Sequence, residues 1–345
     1  MVESHGERTA GMAVRAGING FGRIGRNVFR AAEERGADIE WVAINDIMDP
    51  PTMAHLLRYD TVLGHFKGEI EAGDKSLTVN GKEIPVLSEP EPANLPWGDM
   101  DVQVVLESSG KFTDEGEADQ HLEAGAQKVV VSAPSKGDVL TLVPGVNDDH
   151  YHPDEHNVIS LASCTTNCLG PVAKVLHEEF GIERGLMTTV HAYTADQQLQ
   201  DGPHKDLRRA RAAASNLIPT TTGAAAAIGK VIPELEGKMH GYAIRGPVND
   251  GSVLDLTVTL ARDVESADEI NQVFAKRADE GDLEGILAYT DEPIVSSDIV
   301  KSTYSSTFDS GMTYVVDGNM VKVLAWYDNE WGYSNRLVDF IERLG

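Results

Sequence analysis

The segment Gly20-Phe21-Gly22-Arg23-Ile24-Gly25 constrains this chain more than any other. It is a G-x-G-x-x-G turn preceded by the short apolar run Val14–Ile18 and followed by Ile24, Val28 and Ala32 at four-residue spacing. An apolar run, a glycine turn and a helical face in succession predict strand, turn and helix, the opening of a dinucleotide-binding unit. Glycines at 20, 22 and 25 allow a tight turn and close approach of backbone to a pyrophosphate, whose charge meets the helix N-terminus. A structural turn without ligand is the competing reading. Asp46 favours the first, because it follows a second apolar strand, Ile39–Ile44, where a carboxylate can accept from a ribose hydroxyl. The same carboxylate repels a 2′-phosphate, so NAD is expected rather than NADP.

Further continuous apolar runs at Asp101–Leu106, Lys128–Ser132 and Asn157–Ser163 alternate with helical stretches, which indicates a parallel sheet covered on both faces. Beyond residue 163 the pattern changes. Leu254, Leu256, Val258 and Leu260 alternate with Asp255, Thr257 and Thr259, and Asp317-Gly318 separates two strand-like runs, Met312–Val316 and Met320–Trp326. These are signs of an antiparallel sheet and a hairpin. Ser266 and Glu269 form a capping-box pattern ahead of a helix through Ile270, Val273 and Phe274. Leu337, Phe340, Ile341 and Leu344 make a final amphipathic helix, and Glu89–Pro96 reads as an irregular loop. The expected fold is α/β: a Rossmann-type parallel-sheet nucleotide domain over 14–163, then an α+β catalytic domain with a mostly antiparallel sheet over 164–329. Residues 1–13 are expected to be a loose tail.

The 345 residues carry 55 acidic and 29 basic side chains, a net charge of −26. Charge of this sign repels nucleic acid and anionic lipid, so neither is an expected partner. An excess this large suggests salt adaptation, the alternative being a merely acidic protein. There are two cysteines, no apolar leader in the first thirteen residues and no apolar run near membrane-spanning length, so a reducing cytoplasmic location is expected.

Cys164, in Ser163-Cys164-Thr165-Thr166-Asn167-Cys168, stands where a strand ends and a helix through Val172, Val175 and Leu176 begins. The helix dipole and flanking hydroxyls there would favour a thiolate. His191, ending the strand Gly185–Val190, is the candidate base. Singly, Cys164 also reads as a buried small hydrophobe, the reading preferred for Cys168; a Cys164–Cys168 disulfide or a Cys164, Cys168, His191 metal site are minor alternatives. A basic island, Lys205, Arg208, Arg209 and Arg211, interrupts the acidity and suits either an anionic substrate, with Pro219–Gly223, or an ion-paired subunit contact. Arg245 is a lone basic residue at a strand end and is ambiguous.

Together these features specify oxidation of a phosphorylated aldehyde through a thioester. N-G-F-G-R-I-G-R at 19–26, S-C-T-T-N-C at 163–168, T-T-V-H at 188–191, the stretch 205–211 and W-Y-D-N-E-W-G-Y-S-N at 326–335 closely resemble the phosphorylating glyceraldehyde-3-phosphate dehydrogenase family of bacteria and eukaryotes. The resemblance covers essentially everything after residue 13. It implies Cys164 as nucleophile and His191 as base and acid. Thr194 and Arg245 would hold the substrate phosphate. Ser163, Thr165, Thr222 and Gly223, assisted by Arg245, would hold inorganic phosphate. Arg23, Ile24, Asp46, Ser109, Ser132 and Asn329 would line the NAD site, with Tyr333 near the nicotinamide. It also implies a homotetramer, a C-terminal helix (330–345) returning to the nucleotide domain, and a place in glycolysis or gluconeogenesis. Ile47 and Gly202-Pro203 are similar to the NAD-using members. Erythrose-4-phosphate dehydrogenase, in which water takes the thioester, and a non-catalytic NAD-binding scaffold are the rivals. Ala226, Gly246 and Trp331 depart from the residues usual in the family.

Overall fold

A computed structural model describes residues 13–345; the expected tail falls, but for Ala13, outside them. Nine strands form the first sheet: β1 (Val14–Asn19), β2 (Ile39–Asn45), β3 (Ile70–Ala72), β4 (Ser76–Val79), β5 (Lys82–Leu87), β6 (Val104–Glu107), β7 (Lys128–Val131), β8 (Leu140–Thr141) and β9 (Val158–Ser160). Their order is β3-β4-β5-β2-β1-β6-β7-β9-β8, parallel except at the β3-β4-β5 meander. Strand order reverses between β1 and β6, which opens a crevice at their carboxyl ends. Helices α1 (Arg23–Arg35), α2 (Pro50–Arg58) and α3 (Gln120–Glu123) belong to this half. In α1 the residues Val28, Ala31 and Ala32 are buried.

The second sheet has seven strands: β10 (Ile182–Ala192), β11 (Ile218–Thr220), β12 (Met239–Gly246), β13 (Ser252–Leu260), β14 (Leu287–Thr290), β15 (Ser306–Val316) and β16 (Met320–Tyr327). The order is β11-β12-β10-β13-β16-β15-β14, mostly antiparallel, with parallel pairs at β10–β12 and β14–β15. The fold class is thus as expected. One face carries α4 (Cys164–Phe180), α5 (Ala224–Val231) and α6 (Ala267–Asp279), and buries Leu254, Leu256, Val258 and Leu260 among them. Each such burial is worth roughly 1.5–3 kcal/mol over exposure. The opposite face leaves Leu186, Val190, Tyr242, Tyr314 and Met320 exposed. Asp317 (φ 51°) and Gly318 (φ 79°), with Asn319, make the three-residue turn between β15 and β16. The last helix, α7 (Trp331–Arg343), packs on α1 and buries Leu337, Val338, Phe340 and Ile341 in the core of the first sheet.

Several local expectations are corrected. The strand expected at Asp101–Leu106 starts only at Val104, because Asp101 adopts a left-handed φ of 52° in a turn closed by the Val102 N–H bond to Trp97 O. The strand expected at Asn157–Ser163 stops at Ser160, since Ala162 (φ 54°) turns the chain into α4. Ser266 makes no capping bond to α6; Glu269 instead accepts from Glu265 N (2.8 Å) and Arg262 Nη1 (2.8 Å). The chain Glu89–Pro96 is irregular apart from one short turn of helix at Pro92–Asn94.

Candidate active site

Two arrangements of polar side chains meet where the sheets adjoin. The first is the glycine turn between β1 and α1. Gly20 has φ +95°, and a Cβ there would stand 2.4 Å from Ser109 N; a Cβ on Gly25 would stand 2.2 Å from Gly20 O. Both positions therefore require glycine. Among the described residues a Cβ on Gly22 would meet nothing within 4 Å, so that side of the turn is open. Gly22 caps α1 without a side-chain bond, and no acidic residue lies in the first turn, so among the described residues its N–H groups are free for an anion. Asp46 is pinned beside the turn: Oδ2 accepts from Phe21 N (2.6 Å) and Oδ1 from Met48 N (2.9 Å).

A cleft of about 220 Å³ runs along these strand ends, lined by Gly20, Gly22, Asp46, Ile47, Ser108 and Ser109 among others. Ser132, at the end of β7, donates its N–H to Glu107 O. The cradle, the open helix end and the carboxylate fit a dinucleotide. Ile24 packs on the first core. The Arg23 side chain points elsewhere: it is bidentate to Glu330 and donates to Asp60 Oδ2 (2.5 Å), so α1 is tied to the segment before α7.

The second arrangement centres on Cys164, half-buried at the first position of α4. Ser163 caps this helix by accepting from Thr166 N (3.1 Å). Strand parity brings the base in: Met187, Thr189 and His191 alternate on the buried face of β10. His191 Nε2 lies 3.4 Å from Cys164 Sγ, and Nδ1 lies 2.7 Å from Ala192 O. A carbonyl only accepts, so the ring carries its proton on Nδ1 and turns a bare Nε2 toward the sulfur. Burial pushes the Cys164 thiol up to about 11, against the opposing pull of Arg245 and of Thr165 hydrogen bonds. Burial, then the Arg245 charge, pushes His191 down to about 3. Against the helix N-terminus and flanking hydroxyls, which favour a thiolate, burial favours the thiol and the neutral imidazole.

Sequence reading missed the support beneath this pair. The Tyr327 hydroxyl joins Thr165 Oγ1 (2.9 Å) to Thr189 Oγ1 (2.8 Å), and its ring meets His191 edge-on at 5.8 Å. Ser252 Oγ accepts from Ala192 N (3.1 Å) and donates to Asn329 Oδ1 (2.6 Å). The inward parity of Thr189 and the W-Y-D-N segment were the available signals. Tyr333 donates to Ala162 O (3.0 Å), just before Cys164. Cys168 is buried, with its Sγ 3.4 Å from Ser306 Oγ, and both cysteines are free.

Arg245 pairs with His191 across β12 and β10, and its Nη1 donates to Thr194 Oγ1 (2.7 Å). Its Nε is buried without a partner among the described residues, a donor available to an anion. Arg209, from the basic island, bonds Asp196 Oδ2 (2.6 Å), Thr220 Oγ1 (2.9 Å) and Thr221 O (3.3 Å), so it ties the loop after β10 to β11. Arg211 pairs with Asp201 at 2.8 Å. Thr222 and Gly223 lead into α5, which packs beside α4; among the described residues no hydrogen bond joins them to Ser163 or Thr165. Of the departures, Ala226 is exposed, a Cβ on Gly246 would make only ordinary contacts, and Trp331 is buried beneath Lys301 Nζ (5.4 Å from its ring).

Comparison with protein families matches residues 14–115 to the glyceraldehyde 3-phosphate dehydrogenase NAD binding domain and residues 163–329 to the C-terminal domain of the same family. The chain is 59% identical over 334 residues to glyceraldehyde-3-phosphate dehydrogenase of Streptomyces coelicolor, covering 97% of this chain and 99% of the relative. It is 58% identical over 328 residues to that of Geobacillus stearothermophilus (95% and 97%). It is 59% identical over 340 residues to that of Mycobacterium bovis (97% and 99%). A glycine cradle for a dinucleotide beside a cysteine–histidine pair is therefore what this family's two domains build here: the chain belongs to the glyceraldehyde-3-phosphate dehydrogenase family, and its cofactor is NAD.

Proposed function

We propose that this chain oxidises D-glyceraldehyde 3-phosphate with NAD and inorganic phosphate to 1,3-bisphosphoglycerate, through a thioester on Cys164. The observation that carries the reading is the 3.4 Å approach of His191 Nε2 to Cys164 Sγ, with the Nδ1 proton held by Ala192 O. His191 Nε2 takes the thiol proton as sulfur adds to the aldehyde carbon and passes it to the alkoxide oxygen, giving a hemithioacetal and freeing Nε2. The backbone N–H groups at the start of α4 stabilise the oxygen that becomes negative. NAD, when bound, supplies the hydride acceptor. His191 receives the hydroxyl proton as the carbon is oxidised to the thioester. Phosphate oxygen then attacks the acyl carbon and the C–S bond breaks, leaving sulfur to regain its proton.

Thr194 and Arg245 hold the substrate's own phosphate in this reading. Ser163, Thr165, Thr222 and Gly223, with Arg245, receive inorganic phosphate. The glycine turn, Arg23 through its backbone, Ile24, Asp46, Ser109, Ser132, Asn329 and Tyr333 serve NAD. Residues 14–163 with 330–345 form the nucleotide half and 164–329 the catalytic half. A homotetramer is supported by the exposed apolar side chains Leu186, Val190, Tyr242, Tyr314 and Met320 on the uncovered sheet face. A cytoplasmic site of action accords with the lack, among the described residues, of any helix long and apolar enough to cross a membrane.

Following NADH formation with and without inorganic phosphate tests the reading. Turnover that needs both substrate and phosphate is expected. Full turnover without phosphate would assign the last step to water instead.

A further inference from the structure

Beneath the glycine cleft lies a carboxylate that the mechanism does not use. Glu107, the last residue of β6, is 1% exposed. Its Oε2 accepts from Asn19 Nδ2 (2.5 Å) and faces His121 Nε2 (2.9 Å); its Oε1 accepts from Ser109 N (2.8 Å) and Ser109 Oγ (2.5 Å). His121 Nδ1 accepts from Trp97 Nε1 (3.0 Å), which leaves the ring proton on Nε2, donated to Glu107. Asn19 Oδ1 in turn accepts from Asn45 Nδ2 (2.7 Å), and Asn45 bonds Glu89 in both directions at 2.9 Å. The carboxyl ends of β1, β2 and β6 are thus laced together by side chains.

A buried carboxylate beneath a site for a doubly charged pyrophosphate is electrostatically unfavourable unless it does something a neutral side chain cannot. Here it accepts four donors at once, and a carboxamide cannot, because half of its capacity is donating. The consequence falls on Ser109. Its N–H and its hydroxyl proton are both spent on Glu107, and the hydroxyl oxygen also accepts from Lys111 N (3.2 Å). Toward the cleft Ser109 can then offer only acceptors. Ser109, bonded to this carboxylate, also sits so close to Gly20 that a Cβ there would stand 2.4 Å from Ser109 N.

We infer that Glu107 is the positioning residue of the NAD site, orienting Ser109 as a hydrogen-bond acceptor for the hydroxyl and amide donors of the cofactor and holding the β6 end against the glycine turn. This rests on the placement of Ser109 at NAD.

Calorimetric binding of NAD to the apo protein tests it, with Cys164 alkylation by iodoacetamide and Tm as readouts that need no cofactor. Glu107→Gln should weaken NAD binding at least about tenfold, as expected for misdirected bonds to a charged group, while the alkylation rate stays within twofold. Glu107→Asp should recover part of the loss, and should be used alone if Glu107→Gln does not fold. Ser109→Ala should weaken binding, and the double variant Glu107→Gln/Ser109→Ala should be no weaker than the worse single one. Unchanged NAD affinity in both Glu107 variants, or losses that multiply in the double variant, overturns the inference. Unchanged affinity in Ser109→Ala alone would instead remove Ser109 from the cofactor site.

Discussion

Ala192 O lies 2.7 Å from Nδ1 of His191, and this one contact decides what the imidazole can do. It fixes the tautomer with Nε2 bare and aimed at Cys164 Sγ. The base is ready before any ligand arrives, and the thiol's high resting pKa makes the base necessary.

His191→Asn should therefore lower turnover by about 10²–10⁴-fold and change the pH dependence of Cys164 alkylation. Burial already raises the thiol to about 11 in the parent, so what the variant loses is the base that takes the proton as sulfur reacts. A raised thiol pKa means less thiolate at every pH below it. The variant's alkylation rate should thus be depressed at pH 7 and climb steadily toward pH 10. Stopped-flow or quenched iodoacetamide kinetics over that range check it.

The glycine turn separates two kinds of substitution. Gly20→Ala places a Cβ 2.4 Å from backbone at φ +95°, so it should destabilise the protein by at least about 2 kcal/mol. Gly22→Ala meets nothing within 4 Å among the described residues, so its Tm should match the parent while its methyl group enters the space assigned to the pyrophosphate and weakens NAD binding. Thermal melts and NAD titrations of the two variants distinguish these outcomes.

Asp250 is 2% exposed, and neither carboxylate oxygen has a hydrogen-bond partner among the described residues. Burial, then the charges of Asp328 and Glu330, push it up to about 8. Its unfolded value is in the ordinary range, so the folded state holds a proton that the unfolded chain has lost. Its contribution to stability is full below about pH 4 and declines as pH rises to 8. Asp250→Asn should leave Tm nearly unchanged at pH 4 and raise it by about 2–6 °C at pH 8.

A net charge of −26 makes self-repulsion sensitive to salt. The Debye length falls from about 30 Å at 0.01 M to about 3 Å at 1 M. Tm should rise steadily as KCl is increased over this range, and a flat or falling curve would count against salt adaptation.

What was legible in the sequence had short-range causes. Gly20, Gly22 and Gly25 between an apolar run and a helical face, the alternation from Ser252 to Leu260, and Asp317-Gly318 all express local geometry, and each reappears in the fold. Cys164 and His191 were readable because one begins α4 and the other lies next to the last residue of β10. The Tyr327 bridge was not, since it exists only when β16, α4 and β10 meet. Glu107 and His121 are fourteen positions apart and joined by burial rather than by pattern. The Ser266 capping box failed because Arg262 and the Glu265 N–H offered Glu269 better partners. The helix end that favours a thiolate could be read from an element boundary, whereas the burial that opposes it could not.

The central claim is that oxidation leaves the acyl group on Cys164 and that phosphate removes it. Mixing the protein with glyceraldehyde 3-phosphate and NAD without phosphate, quenching in acid and mapping peptides by mass spectrometry measures this directly. The account predicts a 3-phosphoglyceroyl adduct on the peptide containing Cys164, lost when phosphate is added before the quench and absent in Cys164→Ser. NADH formed with no adduct on Cys164, or an adduct that phosphate does not discharge, would contradict it.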